Sequence, residues 1–339
     1  MRLKYYPYTI KLKEEFKLSV NSRTTTPAII VEIEHIGFTG YGEASLPPYL
    51  SENQQSVIRF LEKVDFDSLE NFSNMEVILD YVDCLSDGDS AAKAALDMAL
   101  HDLFGKIKNI SLSELLKIKK TKDIYSSYTI GITDKEKLKS KIAAASDYKY
   151  LKIKLGTEKD KEIISKIREL TEKPLFVDVN QGWKDKNFAL EMISWLAKKN
   201  VILIEQPLPK EMKKESMWLK EKSPLPIIAD EAIQNLNDLN FIKECYSGIN
   251  VKLMKVGGIR QALKMINEAR KLNLKIMLGC MTETSCAITA ASHLAVLADW
   301  VDLDGAELIS NDLFAGMKIN KGKVTLPEIT GIGVKKISK

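Results

Sequence analysis

From Arg2 to Ile10 the chain alternates apolar and polar positions, and it does so again at Ala28–His35 and Phe38–Tyr41. Gly37 and Gly40 punctuate these runs, and the period of two predicts a short antiparallel meander with one buried face. The period then lengthens to a helical one at Glu52–Lys63, Asn74–Leu85 and Ser90–Lys106. Asp89 and Ser90 are N-cap candidates for the last of these. Its Ala91, Ala92, Ala94, Ala95 and Ala99 make a stripe of small residues suited to close packing. Beyond about Tyr125 short β-rich runs alternate with helical runs of roughly 12–15 residues. The strands expected are Tyr128–Ile130, Tyr150–Leu155, Leu175–Asn180, Val201–Glu205, Ile227–Asp230, Asn250–Lys255, Lys275–Met281 and a weaker one at Leu303–Gly305. Eight strand–helix units predict an α/β chain of the (β/α)8 TIM-barrel type behind an α+β first third. No Gly-x-Gly-x-x-Gly follows any of these strands, which disfavours a dinucleotide-binding sheet.

A length of 339 residues, 45% hydrophobic and 28% charged, is enough to bury a large core without metals or disulfides to hold it. Fifty Lys and Arg against 46 Asp and Glu leave a net charge of +4, so no nucleic-acid surface is expected. Lys4, Lys11, Lys13, Glu14 and Glu15 interrupt the start of the chain, which therefore lacks the apolar core of a signal peptide. The most apolar stretch, Cys286–Val301, is broken by Thr289, Ser292, His293 and Asp299 and falls short of the ~20 residues of a membrane span. No membrane partner is expected. The four cysteines form no Cys-x-x-Cys pair, which argues against structural zinc and for buried free thiols in a reducing, cytoplasmic setting.

Charge falls where buried strands should be apolar. Lys154, Asp178, Glu205, Asp230 and Lys255 are successively 24, 27, 25 and 25 residues apart, one strand–helix unit each time. All five are therefore expected on one rim of the barrel, and the C-terminal rim is where barrel enzymes carry their chemistry. Asp178, Glu205 and Asp230 would crowd three carboxylates together, each raising the pKa of the others unless a cation sits between them. Oxygen ligands without His or Cys point to Mg2+, with Mn2+ as substitute. Lys152 and Lys154 lie two apart on one strand face, ~6.6 Å from each other by strand rise. Such proximity would depress a lysine pKa towards the range of a general base. Lys255, read as ending a strand four strands along, would face Lys154 across the metal. Two lysines on opposite walls suit removal of a proton from carbon and its return to either face. His35, His101 and His293 fall away from these ends and are read as structural.

These residues resemble the enolase superfamily, and within it the dipeptide epimerase branch. The resemblance runs through Ala91-Ala92-Lys93-Ala94-Ala95-Leu96-Asp97-Met98-Ala99-Leu100, Lys152-Ile153-Lys154-Leu155-Gly156, Asp178-Val179-Asn180-Gln181-Gly182-Trp183 and Glu205-Gln206-Pro207. It continues through Ala229-Asp230-Glu231, Asn250-Val251-Lys252-Leu253-Met254-Lys255-Val256-Gly257-Gly258 and Met281-Thr282-Glu283-Thr284. Asp302-Leu303-Asp304 resembles the pair that, in the branch, grips the α-ammonium of a dipeptide. The resemblance implies a capping α+β domain over 1–120, a barrel over 121–325, and a segment over 326–339 returning to the cap. Lid loops are expected at about 17–27 and 44–53. It also implies Mg2+ on Asp178, Glu205 and Asp230, with Asn180 and Glu283 behind the ligands as orienting groups.

Superfamily sites pair a Lys or His base with Mg2+. By that likeness Lys154 and Lys255 would be the two acid/base groups, and Lys152 would stabilise the charge formed as the α-proton leaves. Arg23, in the loop from Asn21 to Pro27, would grip the side chain of a C-terminal glutamate, which makes L-Ala-L-Glu and L-Ala-D-Glu, a murein peptide pair, the expected substrates. A small-molecule dipeptide partner and a homo-oligomer are implied, the latter by no particular residue. Two alternatives stay open. One is a dehydratase like o-succinylbenzoate synthase, which has the same lysines and carboxylates but does not need Asp302 and Asp304. The other is an aldolase with a Schiff base on Lys255 and a phosphate held at Gly257-Gly258.

Overall fold

The computed structural model describes residues 1–17, 22–69, 74–133 and 135–337. The expected meander is an antiparallel sheet of β1 (Arg2–Lys17), β2 (Ser22–His35) and β3 (Phe38–Ser45) in that order. The helices α1 (Gln54–Leu61), α2 (Met75–Cys84), α3 (Ser90–Ile107) and α4 (Leu112–Leu115) follow. The alanine stripe of α3 lies on the glycines of β3. A Cβ at Gly42 would stand 1.9 Å from the carbonyl oxygen of Ala95, and one at Gly40 would stand 2.0 Å from that of Ala99. Only small residues on both sides permit this approach.

Asp89, expected to cap α3, has φ 58° and makes no side-chain cap bond. Glu52 caps the helix instead, accepting from Ala91 N at 2.8 Å, Ala92 N at 3.2 Å and Ser90 Oγ at 3.1 Å. A cap supplied from 38 residues away leaves no local signature.

The barrel strands are β4 (Ser127–Ile130), β5 (Tyr150–Lys154), β6 (Leu175–Asp178), β7 (Val201–Glu205), β8 (Ile227–Ala229), β9 (Gly248–Val251), β10 (Lys275–Gly279) and β11 (Trp300–Asp302). They are parallel, and each is bonded to the next in chain order. Between them run α5 (Lys135–Ala144), α6 (Asp160–Leu170), α7 (Lys186–Ala197), α8 (Lys213–Lys222), α9 (Leu239–Cys245), α10 (Leu253–Val256), α11 (Ile259–Lys271) and α12 (Ser285–Ser292). Side chains join the first strand to the last. Asp302 accepts from Ser127 Oγ at 2.8 Å, Asp304 accepts from Thr129 N at 2.6 Å, and Leu303 N donates to Ser126 Oγ at 2.8 Å.

Phe176, Leu203, Ile228 and Met277 pack together, with Tyr150 and Trp300 against them. Two residues beyond five of these apolar positions stand Asp178, Glu205, Asp230, Lys152 and Asp302. Strand side chains alternate faces, so the same inward rows that lay the apolar floor carry the charged layer above it.

After the barrel come β12 (Phe314–Ala315), the hairpin of β13 (Lys318–Asn320) with β14 (Lys323–Thr325), and β15 (Lys335–Lys336), which pairs with β12. Ile332 N donates to Asp102 of α3 at 2.9 Å, and Lys336 Nζ reaches Glu32 of β2 at 2.6 Å.

Several expected boundaries shift. The strand read as Asn250–Lys255 stops at Val251, and Lys255 lies on the one-turn helix α10. The weak last strand is Trp300–Asp302 rather than Leu303–Gly305, so Asp304 lies beyond the strand, where it shares the Thr129 hydroxyl with Asp302. Of the lid expected at 17–27, residues 18–21 lie outside the described residues and Ser22 onward is strand, so Arg23 sits on β2, opposite Phe16. Cys84 is exposed where a buried thiol was expected, and all four cysteines are free. No helix among the described residues is long and apolar enough to cross a membrane.

Candidate active site

The inward rows of β6, β7 and β8 end on Asp178, Glu205 and Asp230, which bring one carboxylate oxygen each to within 4.8 Å of one another, all buried. The backbone turns that follow are unusual. Asn180, Gln181 and Gln206 have φ of 46°, 65° and 36°, a left-handed conformation that non-glycine residues adopt where the surroundings impose it. Gln206 uses its turn to brace the next strand, accepting from Asp230 N at 2.9 Å and Ala232 N at 3.1 Å.

The β5 row supplies Lys152 and Lys154. Lys152 Nζ lies 2.8 Å from Glu205, 3.2 Å from Asp178 and 2.7 Å from Asp302, so it touches two members of the triad and the far wall at once. Lys154 Nζ meets Asp178 at 2.5 Å. On the opposite side, Lys252 Nζ meets Asp230 Oδ2 at 2.7 Å and Lys255 Nζ meets Asp230 Oδ1 at 2.5 Å. The expected mutual depression of Lys152 is not found. Burial pulls it down, but Asp302, Glu205 and Asp178 together push it well above its ordinary value. Lys252 is likewise lowered by burial and raised further by Asp230.

The carboxylates divide. Burial raises Asp178 and Asp230, yet Lys154 and Lys152 hold the first below its usual range, and Lys252 and Lys255 hold the second well below. Burial and the charge of Asp178 push Glu205 up to about 7, although the Lys152 ammonium lies 2.8 Å from its Oε2. Three converging carboxylate oxygens with no His or Cys among them fit a hard divalent cation.

Lys252, one residue past the end of β9 and two past the inward Asn250, continues the β9 row. It is a cavity-lining lysine that the spacing argument passed over. Lys255 breaks that row. Its ammonium is enclosed by three acceptors, Asp230 Oδ1, Asp230 O at 2.7 Å and Asn250 O at 3.0 Å. Gly257, the cap of its helix, has φ 93°. At the adjoining N-terminus of α11, Asp97 of α3 accepts from Ile259 N at 2.5 Å and Arg260 N at 3.2 Å. A carboxylate thus already fills the place at Gly257-Gly258 that the aldolase alternative reserves for phosphate, which removes its support.

Across the pocket, Asp302 is bonded to Lys152 and Ser127, and Asp304 to the backbone and hydroxyl of Thr129. Burial and the neighbouring Asp302 push Asp304 up to about 7. Arg23 comes over from the cap with its guanidinium 5.5 Å from the Phe16 ring and Nη2 3.4 Å from Thr282 Oγ1. Its Nε and Nη1 are buried and unpartnered. Tyr49 reaches down from the 46–53 loop and bonds Met281 Sδ. These groups line one cavity of about 170 Å³ with Lys152, Lys154, Asp230, Lys252 and Lys255.

Asn180 and Glu283 differ in placement. Asn180 donates to Asp178 Oδ1 through its backbone at 3.0 Å and to Glu231 through its side chain at 3.3 Å. Glu283 is buried beside Glu43, and burial with that neighbour pushes it up to about 8. Glu43 anchors the cap to α12 by accepting from Thr284 N at 3.0 Å. His101 bonds the backbone of Asp97, and His293 bridges Ser113 and the carbonyl of Ile332.

Two family models match the chain: the mandelate racemase/muconate lactonizing enzyme N-terminal domain over residues 4–117 and the enolase C-terminal domain-like model over residues 135–336. An L-Ala-D/L-Glu epimerase of Bacteroides thetaiotaomicron is 48% identical over 99% of this chain and 88% of its own length. Among solved structures, the substrate-liganded L-Ala-D/L-Glu epimerase of Bacillus subtilis superposes with TM-score 0.92 at 26% identity, covering 100% of this chain and 99% of the other. The dipeptide epimerase of Enterococcus faecalis, complexed with Mg and L-Leu-L-Tyr, gives 0.90 at 29% identity, covering 98% of each. Those matches agree with a cap on an eight-stranded barrel whose rim gathers three carboxylates between lysines: the chain belongs to the mandelate racemase/muconate lactonizing enzyme family of the enolase superfamily.

Proposed function

We propose that this protein is a Mg2+-dependent dipeptide epimerase, an isomerase that inverts the α-carbon of the second residue of a dipeptide. One observation carries the reading. The buried triad of Asp178, Glu205 and Asp230 lies between Lys154 on one side and Lys252 on the other, with Asp302 and Asp304 across the same cavity. Asp178, Glu205 and Asp230 would hold the ion, which supplies positive charge to a substrate carboxylate as its α-proton is lost. Lys154 and Lys252 take the two acid/base roles, one accepting the proton and the other returning one from the opposite face. Lys252 replaces Lys255 in this assignment because it continues the inward row of β9, whereas the ammonium of Lys255 is enclosed by protein acceptors. Lys152 adds a fixed positive charge where negative charge develops.

Asp302 and Asp304 receive the free amino terminus, and this need sets the reading apart from the dehydratase alternative. Arg23 supplies the finer specificity. Two buried, unpartnered guanidinium nitrogens at the cavity wall suit a distal carboxylate, which a planar fork grips through parallel charge-assisted bonds. With the activity named for the Bacteroides relative, this supports L-Ala-L-Glu and L-Ala-D-Glu as the preferred pair, a murein peptide handled in the cytoplasm.

The test is incubation of L-Ala-L-Glu with the enzyme and Mg2+ in D2O, followed by NMR. Deuterium at the glutamate α-carbon together with appearance of the L,D isomer supports the reading. Absence of both, across a dipeptide panel with varied second residues, refutes it.

A further inference from the structure

We propose that Lys255 is a positioning residue that sets the geometry of the cation site through two of its three carboxylates. Its ammonium, only 3% exposed as a residue, holds Asp230 Oδ1, the Asp230 carbonyl and the Asn250 carbonyl. Asn250 in turn donates from Nδ2 to Glu205 Oε1 at 2.7 Å. One buried cation therefore fixes Asp230 directly and Glu205 at one remove, and ties the end of β8 to the end of β9. The three acceptors match the three N–H donors of an ammonium, so the group is saturated by the protein.

The turn that brings Lys255 under the strand ends is itself anchored from the cap. Gly257 has φ 93° and Gly258 φ 108°, and a Cβ at Gly258 would stand 2.5 Å from the Cβ of Asp97. Asp97 holds the next helix by two backbone donors. Strand end, one-turn helix, two glycines and the carboxylate of α3 thus form a bracket whose product is the place of Asp230. Groups that orient metal ligands commonly affect affinity or activity 10- to 100-fold.

The proposal rests on the reading of Asp178, Glu205 and Asp230 as cation ligands, and calorimetric titration with Mg2+ alone separates the two. No binding to the wild type would remove that reading. If the wild type binds, Lys255→Met should raise the Kd for Mg2+ roughly 10- to 100-fold. Lys255→Gln keeps an N–H donor for the carbonyls without the charge and gives the same reading if the Met variant does not fold.

A second readout separates positioning from proton transfer. Near-saturating Mg2+ should restore most of kcat to the Lys255 variants and none to Lys252→Ala. Unchanged or tighter Mg2+ binding in folded Lys255 variants overturns the proposal. So does kcat that stays absent at saturating Mg2+, which would make Lys255 itself a proton carrier.

Discussion

The two lysine walls of the cavity look alike in composition and differ in construction. On one wall Lys152 and Lys154 continue a single strand row above Tyr150, so both ammonium groups point inward by alternation alone. On the other, Lys252 extends the row of Asn250, but Lys255 has left the strand for a helical turn and reaches back beneath it. One wall is therefore built by strand geometry. The other needs the cap, through Asp97 and the paired glycines, to bring its second lysine into place. Regular spacing along a chain predicts which rim a residue reaches. It does not predict which face of that rim it joins.

Acid/base roles give the largest test of this contrast. Lys154→Ala and Lys252→Ala should each lower epimerisation about 10²–10⁴-fold, the usual worth of a positioned proton donor or acceptor. Either variant should still exchange the α-proton of one enantiomer in D2O, and the two should favour opposite enantiomers. Near-wild-type interconversion in either would break the two-base assignment.

A smaller effect is expected at Arg23, which belongs to neither wall. Arg23→Met should cost about 1.5–3 kcal/mol in kcat/KM for L-Ala-L-Glu, roughly 10- to 150-fold, and leave L-Ala-L-Leu little changed. Equal losses on both substrates would show that Arg23 supports the fold rather than glutamate.

Asp230, which both Lys252 and Lys255 hold, sharpens the comparison from the metal's side. Asp230→Asn should weaken Mg2+ binding about tenfold or more by calorimetry. Comparable affinity in the Asn variant would move the cation away from these carboxylates.

His293 is the smallest effect and serves as a control outside both walls. Burial lowers its pKa from the ordinary 6.5 of a histidine to about 4. Its folded pKa is the lower one, so the unfolded chain binds the extra proton and stability falls as pH drops from about 6.5 towards 4. Unfolding free energy at pH 5.5 should be about 1 kcal/mol below that at pH 7 from this group alone, and His293→Gln should remove that component of the slope. An unchanged slope in His293→Gln would assign the acid sensitivity to other groups.

Much of this was legible in the chain because barrel strands convert alternation directly into position. The sequence order of the eight strands, the convergence of Asp178, Glu205 and Asp230, and the inward Lys152 and Lys154 all follow from a period of two. What misled was the interval of 25 residues between Asp230 and Lys255, which matched its neighbours while Lys252, at an interval of 22, did not. The parity of Asn250 and Lys252 held the better signal. Glu52 as the cap of α3 and Asp97 as the cap of α11 were beyond reach for a different reason. Each acts on a helix distant in sequence, and long-range caps leave no local pattern. Arg23 was placed in a loop because Thr24, Thr25 and Thr26 look polar, although β-branched threonine is equally at home in a strand.

The seam between β4 and β11 has a consequence for how this enzyme carries its ligand. Every other neighbouring pair in the barrel is joined within the run of consecutive strands. Here the ends of the ring meet, and Ser126, Ser127 and Thr129 are sewn to Leu303, Asp302 and Asp304 partly by the carboxylates assigned to the substrate's amino group. With those carboxylates taking the amino group, a dipeptide seated there would act as a fastener across the clasp of a bracelet. Amide hydrogens of β4 and β11 should accordingly gain the most protection when substrate binds, and a dipeptide with its amino terminus acetylated should leave their protection unchanged.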